Sequence, residues 1–341
     1  MSFISGEILT KNGFQKGYFG FEKGNIVDIG LGICPKKPVV KGLIVPSLIN
    51  AHTHIGDSFI RKKKLKLPKN VKKLVAPPDG LKHKMLEETS DGEIIDGMRE
   101  SINEMEKKGV SYFCDFRENG LKGINNLKKA LKNTNVSSVI LSRPKQQKYE
   151  KEEINILLNN SQGIGLSSIL DWEYSEIEKI AKHTKKNGKM FSIHASERIR
   201  EDIDLILDLK PDFLIHMNYA TESDLVCVKD SSIPIVVCPR SNEFFGLRTN
   251  IDLLGKIGID IMLGTDNAML NTPNILDELK YVKNMTKMFS IENLLNMITY
   301  NPRKALNLDY SILDLNSLNE FMVLDKKTLS TLFIQKKQRE I

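Results

Sequence analysis

Cysteine is scarce in this chain: four in 341 residues, Cys34, Cys114, Cys227 and Cys238, with no Cys-x-x-Cys pair among them. That spacing excludes a thiolate zinc cluster and a disulfide framework, and it suits a reducing cytoplasm, the location expected here. Cys114 and Cys238 lie in apolar runs, where a buried thiol behaves as a small hydrophobe. No apolar run approaches the roughly eighteen residues of a membrane span. The N-terminus, MSFISGEILTKNG, has no basic region and no long apolar stretch, so it does not read as a secretion signal. Internal repeats and low-complexity linkers are absent. The formal net charge is +7, but acids and bases are mixed along most of the length, so nucleic acid is not the expected partner.

What is present is apolar: 40% of residues are hydrophobic, enough for a sizeable core. Short runs rich in Ile, Val, Leu and Phe recur at 42–50, 110–116, 137–142, 163–170, 190–195, 212–217, 233–239 and 259–265. They show little alternation, as strands buried on both faces do. Between them lie amphipathic stretches: 86–109, ending in Lys-Lys-Gly; 175–188, with a similar stop; and 273–285, with Pro near its start. Eight strands alternating with helices predict an α/β fold, a (β/α)8 TIM barrel, ahead of a doubly wound open sheet, since no Gly-rich phosphate loop follows the first strand. The first 40 or so residues read as short strands joined by Gly and Lys turns, and 319–337 has similar strand character. The expected division is therefore a small β-sandwich-like domain built from both chain ends, 1–42 and 309–341, beside a barrel spanning 43–308.

Histidine is also scarce, six in all, and its placement is informative. His52 and His54 close the first run, His194 the fifth and His216 the sixth, while Asp266 follows the eighth. In a barrel, catalytic groups come from the C-terminal ends of different strands, so all five converge on one mouth. Residues i and i+2 of a strand face the same way, which lets His52 and His54 share one ion. Imidazole with carboxylate suits one divalent metal, Zn2+ ahead of Fe2+, with a position left for water whose pKa the metal lowers. Asp266 is suited both to bind that metal and to take the water's proton. His183 lies in a lysine-rich helix and reads as solvated. His83 lies in a Pro/Gly loop placed to fold over the mouth and touch substrate. RKKKLKLPKNVKK (61–73) carries eight Lys or Arg and no acid. It reads as a solvated loop or as a lid that draws an anionic small molecule inward. Its lack of interleaved aromatics argues against a nucleic-acid surface.

At PSLINAHTHIGD, FSIHASE, LIHMN and LGTDNAM the chain resembles the amidohydrolase superfamily, and NPRKALNL (301–308) resembles a common C-terminal element of it. The resemblance covers nearly the whole chain and is strongest to the cytosine, guanine and S-adenosylhomocysteine deaminase and chlorohydrolase branch. Strand four, GLSSILDW, lacks the bridging lysine of binuclear members, and His194-Ala195-Ser196-Glu197 matches the HxxE of the deaminase branch. The resemblance implies one metal held by His52, His54, His194 and Asp266. It implies a hydrogen bond from His216 to the attacking water or the intermediate, and proton transfer by Glu197 to a ring nitrogen. CPRSNEFFGLR resembles a substrate-facing segment and offers Arg240, Ser241 and Asn242 as binding residues. The implied activity is hydrolytic deamination of an aminated purine, pyrimidine or pterin. The alternatives are hydrolysis of a cyclic amide or another C–N or C–Cl bond at the same metal, and a non-catalytic metal or nucleic-acid binding protein. A homo-oligomer is left open. The family's Gly-x-x-Ala-Asp turn is not matched at SLNEFMVLD (317–325), where only the strand fits.

Overall fold

The computed structural model describes residues 1–309 and 317–336, so parts of the C-terminal segment discussed above, 310–316 and 337–341, lie outside the described residues. Four strands open the chain: β1 (Ser2–Thr10), β2 (Gly13–Glu22), β3 (Asn25–Leu31) and β4 (Val40–Pro46). Nine follow: β5 (Leu48–His54), β6 (Val110–Arg117), β7 (Ser137–Ser142), β8 (Gly163–Leu166), β9 (Met190–Ala195), β10 (Phe213–His216), β11 (Ile235–Val237), β12 (Ile261–Leu263) and β13 (Asp266–Asn267). Two strands close it, β14 (Phe321–Leu324) and β15 (Thr331–Gln335).

One sheet has the order β15-β14-β4-β1-β2-β3 and is antiparallel except where β1 meets β4. The other runs β12-β11-β10-β9-β8-β7-β6-β5-β13 and is parallel throughout. Its two edge strands are consecutive pieces of the chain. Between them Gly264 donates to Val237 O at 3.1 Å and Thr265 to His52 O at 3.0 Å, so the sheet curls until one run, 261–267, touches both sides. Glycine is required there, because a Cβ on Gly264 would lie 2.7 Å from that of His52.

The apolar runs lack alternation because both faces are covered. Ile49, Cys114, Phe116, Leu141, Phe213, Ile215 and Val236 fill the inside of the curl. Their neighbours Leu48, Phe113, Ile140, Ile193 and Leu214 pack outward against helices. Seven of the eight expected runs each fall on one strand of this sheet, but 42–50 is divided: β4 belongs to the first sheet and β5 to the second. Ser47 alone separates them. The expected helix 86–109 is likewise two, Leu81–Glu88 and Asp91–Lys107. Extended Thr89 ends the first and Ser90 caps the second, its Oγ accepting from Glu93 N at 3.3 Å. Asp91–Lys107 buries Ile94, Met98, Ile102 and Met105, one stripe at helical spacing. The expected 175–188 and 273–285 appear as Tyr174–Lys186 and Ile275–Met285. Among the described residues no helix is long and apolar enough to cross a membrane.

Candidate metal centre and cleft

Four buried side chains meet at the C-terminal ends of the curled sheet: His52 and His54 on β5, His194 on β9 and Asp266 on β13, each offering one ligand atom, all within 4.8 Å of one another. His194 Nε2 lies 3.2 Å from His52 Nε2 and 3.4 Å from His54 Nε2. Asp266 Oδ1 lies 3.4 Å from His52 Nε2 and 3.6 Å from His54 Nε2. Tetrahedral ligands about 2.0–2.1 Å from a zinc ion stand about 3.3–3.4 Å apart, so these spacings fit one ion. The tautomers agree. His194 Nδ1 donates to Leu166 O at 2.8 Å and His54 Nδ1 to Glu118 Oε1 at 2.8 Å, which leaves both Nε2 lone pairs pointing at the centre. Burial lowers the pKa of all three imidazoles, that of His54 to about 3, which keeps them in the neutral form that binds metals. Burial alone would raise Asp266, but its bond with His52 and the neighbouring histidines hold it well below the usual carboxylate range.

The backbone is unusual here. Ser196, His216, Met217 and Asp266 all have positive φ, 45°, 75°, 56° and 58°. Side-chain-bearing residues adopt that region at a cost, and such outliers concentrate at functional sites. Here the left-handed turn redirects the chain as each strand ends. Ser241 Oγ and Asn267 Nδ2 donate to the two Asp266 oxygens at 2.5 and 2.8 Å, fixing the carboxylate.

Glu197 and His216 line the cleft above this quartet together with His54, His194 and Asp266. Glu197 Oε1 stands 3.7 Å from His216 Nε2, and burial raises its pKa. The loop that carries it is pinned from behind: the buried carboxylate of Glu201 accepts from Ser168 Oγ and from Ser196 N. Asn218 Nδ2 donates to Glu197 O at 3.3 Å.

The four expected substrate-binding residues are placed differently. Arg240 is drawn away from the cleft, its Nη1 3.4 Å from Glu278 Oε1 and its Nη2 donating to Asn271 Oδ1 at 3.2 Å. Ser241 is turned to Asp266, as described. Asn242 Nδ2 bridges Asn218 Oδ1 and Thr249 Oγ1 at 2.9 and 2.7 Å. His83 Nε2 contacts Val75 O at 3.1 Å. The cleft is lined instead by residues the sequence reading passed over: Lys82, Arg143, Asp171, Arg198 and Asn267. Arg143 and Glu118 directly follow β7 and β6, so the strand-end argument applied to histidines would have found them. No comparable signal marked Lys82 among the lysines around it.

The segment between β5 and Asp91–Lys107 covers the cleft. Val71, Val75, Ala76 and Pro77 line its mouth, while Lys62, Lys63, Lys64, Lys66, Lys69, Lys72 and Lys73 are exposed. Arg61 anchors the segment, donating to the carbonyls of Ala268 and Asn271 at 3.1 Å each and to Glu104 at 2.9 Å. Under it lies a buried charged cluster. Glu118 meets Lys82 at 2.6 Å and also Arg117, whose Nη1 meets Asp115 Oδ2 at 3.1 Å. Asp115 Oδ1 accepts from Thr53 Oγ1 at 2.9 Å and Ile55 N at 2.8 Å, tying β6 to the turn after His54. Gly56 leaves room for that guanidinium: a Cβ there would sit 2.0 Å from Arg117 Nη2.

A curled parallel sheet with a buried His/His/His/Asp centre at its strand ends, suited to a divalent metal, defines the class, a metal-dependent hydrolase. Residues 43–341 match the amidohydrolase family, and the chain belongs to it. It is 38% identical over 292 residues to the uncharacterized protein MJ0699 of Methanocaldococcus jannaschii, covering 79% of this chain and 74% of that one. It is 23% identical to the 5-methylthioadenosine/S-adenosylhomocysteine deaminase of Clostridium tetani, over 91% of this chain and 83% of the other. Aminofutalosine deaminase of Helicobacter pylori, solved with methylthio-coformycin, superposes with a TM-score of 0.70 at 16% identity, covering 95% of this chain and 92% of that chain. The chain is thus a hydrolase acting on C–N bonds.

Proposed function

We propose that this chain is a mononuclear hydrolytic deaminase of an aminated heterocycle, built as a closed (β/α)8 barrel with a small domain from both chain ends, 1–42 and 309–341. The observation that carries the chemistry is the placement of Glu197 and His216 in the cleft lined by His54, His194 and Asp266, three members of the quartet that His52 completes. When bound there, a divalent ion, Zn2+ ahead of Fe2+ for this imidazole-rich set, supplies a Lewis acid that lowers the pKa of water toward neutrality.

The protein's own groups do the rest. Asp266, ionised and fixed by Ser241 and Asn267, accepts a proton from the attacking water. Glu197, whose pKa burial raises, is the group placed to give a proton to the ring nitrogen beside the carbon under attack. His216 steadies the oxygen added to that carbon. Water adds, the C–N bond breaks, and the amino group leaves as ammonia with the proton that Asp266 took, while the added hydroxyl gives its own proton back to Glu197 as the carbonyl forms.

Arg143 supports an anionic or carbonyl-bearing substrate. It is only 7% exposed, it lines the cleft, and its Nε has no partner among the described residues. A buried guanidinium N–H without an acceptor is costly, and a substrate anion would relieve that cost. The relatives named as methylthioadenosine/S-adenosylhomocysteine deaminases support purine nucleosides as the first compounds to try.

The test is ammonia release by Zn2+-loaded protein over aminated purines, pyrimidines, pterins and their nucleosides, with Asp266→Asn as the blank. Release that disappears in the blank supports deamination. Silence across the panel from protein carrying one metal per chain overturns it in favour of amide or halide hydrolysis.

A further inference from the structure

Lys82 belongs to the cover yet is 2% exposed. From Leu81–Glu88 its Nζ reaches through to lie 2.6 Å from Glu118 Oε1 and 3.5 Å from Asp57 Oδ2, and it donates to Asn267 Oδ1 at 3.0 Å. Two of these partners hold members of the quartet from behind. The same Glu118 Oε1 accepts from His54 Nδ1 at 2.8 Å, and Asn267 Nδ2 donates to Asp266 Oδ1 at 2.8 Å. One ammonium therefore stands a single residue away from two ligand candidates on different strands, β5 and β13. Every other lysine of the cover is exposed. Its other ion pairs, Arg61–Glu104, Lys62–Glu100 and Lys63–Glu93, join side chains that are 28–54% exposed, and pairs of that kind contribute little. Lifting the cover would withdraw a positive charge from Glu118 and a donor from Asn267 in one motion. Buried groups that lose one partner reorient toward another.

We propose that Lys82 is a positioning residue that makes closure of the 58–90 cover and metal binding at the quartet one coupled equilibrium. The inference rests on the reading of His52, His54, His194 and Asp266 as the metal site. Closure sets Glu118 against His54 Nδ1 and Asn267 against Asp266, which points both ligand atoms inward. Coupling is reciprocal, so a metal that prefers the closed arrangement must itself hold the cover down.

The cover carries its own probe, because its exposed lysines at 61–73 are trypsin sites. In the wild type, Zn2+ is expected to slow cleavage within 61–73, and Lys82→Met is expected to abolish that protection. By chelator competition, Lys82→Met should bind Zn2+ about 10–100-fold more weakly, the range seen when groups behind metal ligands are removed. Glu118→Gln, which keeps an acceptor for His54 but loses the charge that Lys82 meets, carries the same expectation should Lys82→Met fail to fold. The double variant should lose no more than either single one, since all three break one chain of contacts. The visible spectrum of Co2+-loaded protein should change in both variants, a response that a merely structural lysine would not produce. Wild-type Zn2+ affinity in Lys82→Met, or Zn2+ protection that survives the substitution, overturns the coupling while the metal site stands. A wild type that binds no Zn2+ overturns the metal site and the coupling with it.

Discussion

The floor of the cleft and its cover are built by different rules. The floor is made of strand ends. His52, His54, His194, His216 and Asp266 are all under 9% exposed, and two of them are held in left-handed backbone. Each side chain there is placed by a sheet buried on both faces. The cover is made of short helices, the longest Leu81–Glu88, and a lysine-rich stretch. Val71, Val75, Ala76 and Pro77 face the cleft, and every lysine of the cover except Lys82 faces water. Rigid positioning suits a reacting centre, whereas selection and admission of substrate suit a segment held by a few contacts. Lys82 is where the two meet.

The comparison breaks most readily at the floor. Asp266→Asn and His194→Ala are each expected to reduce Zn2+ stoichiometry and turnover to background, with the far-UV circular dichroism of the wild type. Metal analysis beside an ammonia assay would check both. Glu197→Gln should separate binding from chemistry: Zn2+ content unchanged, kcat lower by about 10²–10⁴-fold. Near-normal kcat would remove Glu197 from the reaction.

A third expectation concerns the buried carboxyl at Glu278, behind the floor. Burial, against the pull of Arg240, pushes its pKa from an ordinary 4.5 up to about 8. The folded protein therefore holds a proton that the unfolded chain releases near pH 4.5. Its contribution to stability is full below that pH and is lost as pH rises toward 8. Melting temperatures from pH 5 to 9 should fall less steeply in Glu278→Gln than in the wild type. The smallest effect is expected in the cover. Replacing the exposed Lys64, Lys69 and Lys72 by Glu should leave the melting temperature nearly unchanged. For an anionic substrate it should raise KM a few-fold at low salt, a difference that shrinks as salt screens the charges. Equal effects at high salt would show that the lysines do not act by charge.

Legibility followed the same division. The histidines at 52, 54, 194 and 216 were readable because imidazole is rare in this chain and strand ends are recognisable from apolar runs. Glu118 and Arg143 obey that rule too, and were overlooked because acids and arginines are common enough to hide. Arg240 and Ser241 lie in a segment whose position near the cleft was foreseeable. Whether they face it depends on Glu278, 38 residues on, and on the rotation of Pro239–Phe244.

The sequence by itself determined the alternation of buried strands with amphipathic helices, and which residue types stand at the strand ends, because periodicity and composition are local properties. Tertiary structure alone decided the division of 42–50 between two sheets, the run 261–267 that touches both sides of the curl, and the reach of Lys82 to Glu118 and Asn267. Those depend on pairings between residues far apart along the chain. Such pairings are chosen by packing and by the need of buried charges for partners, and no local pattern records them.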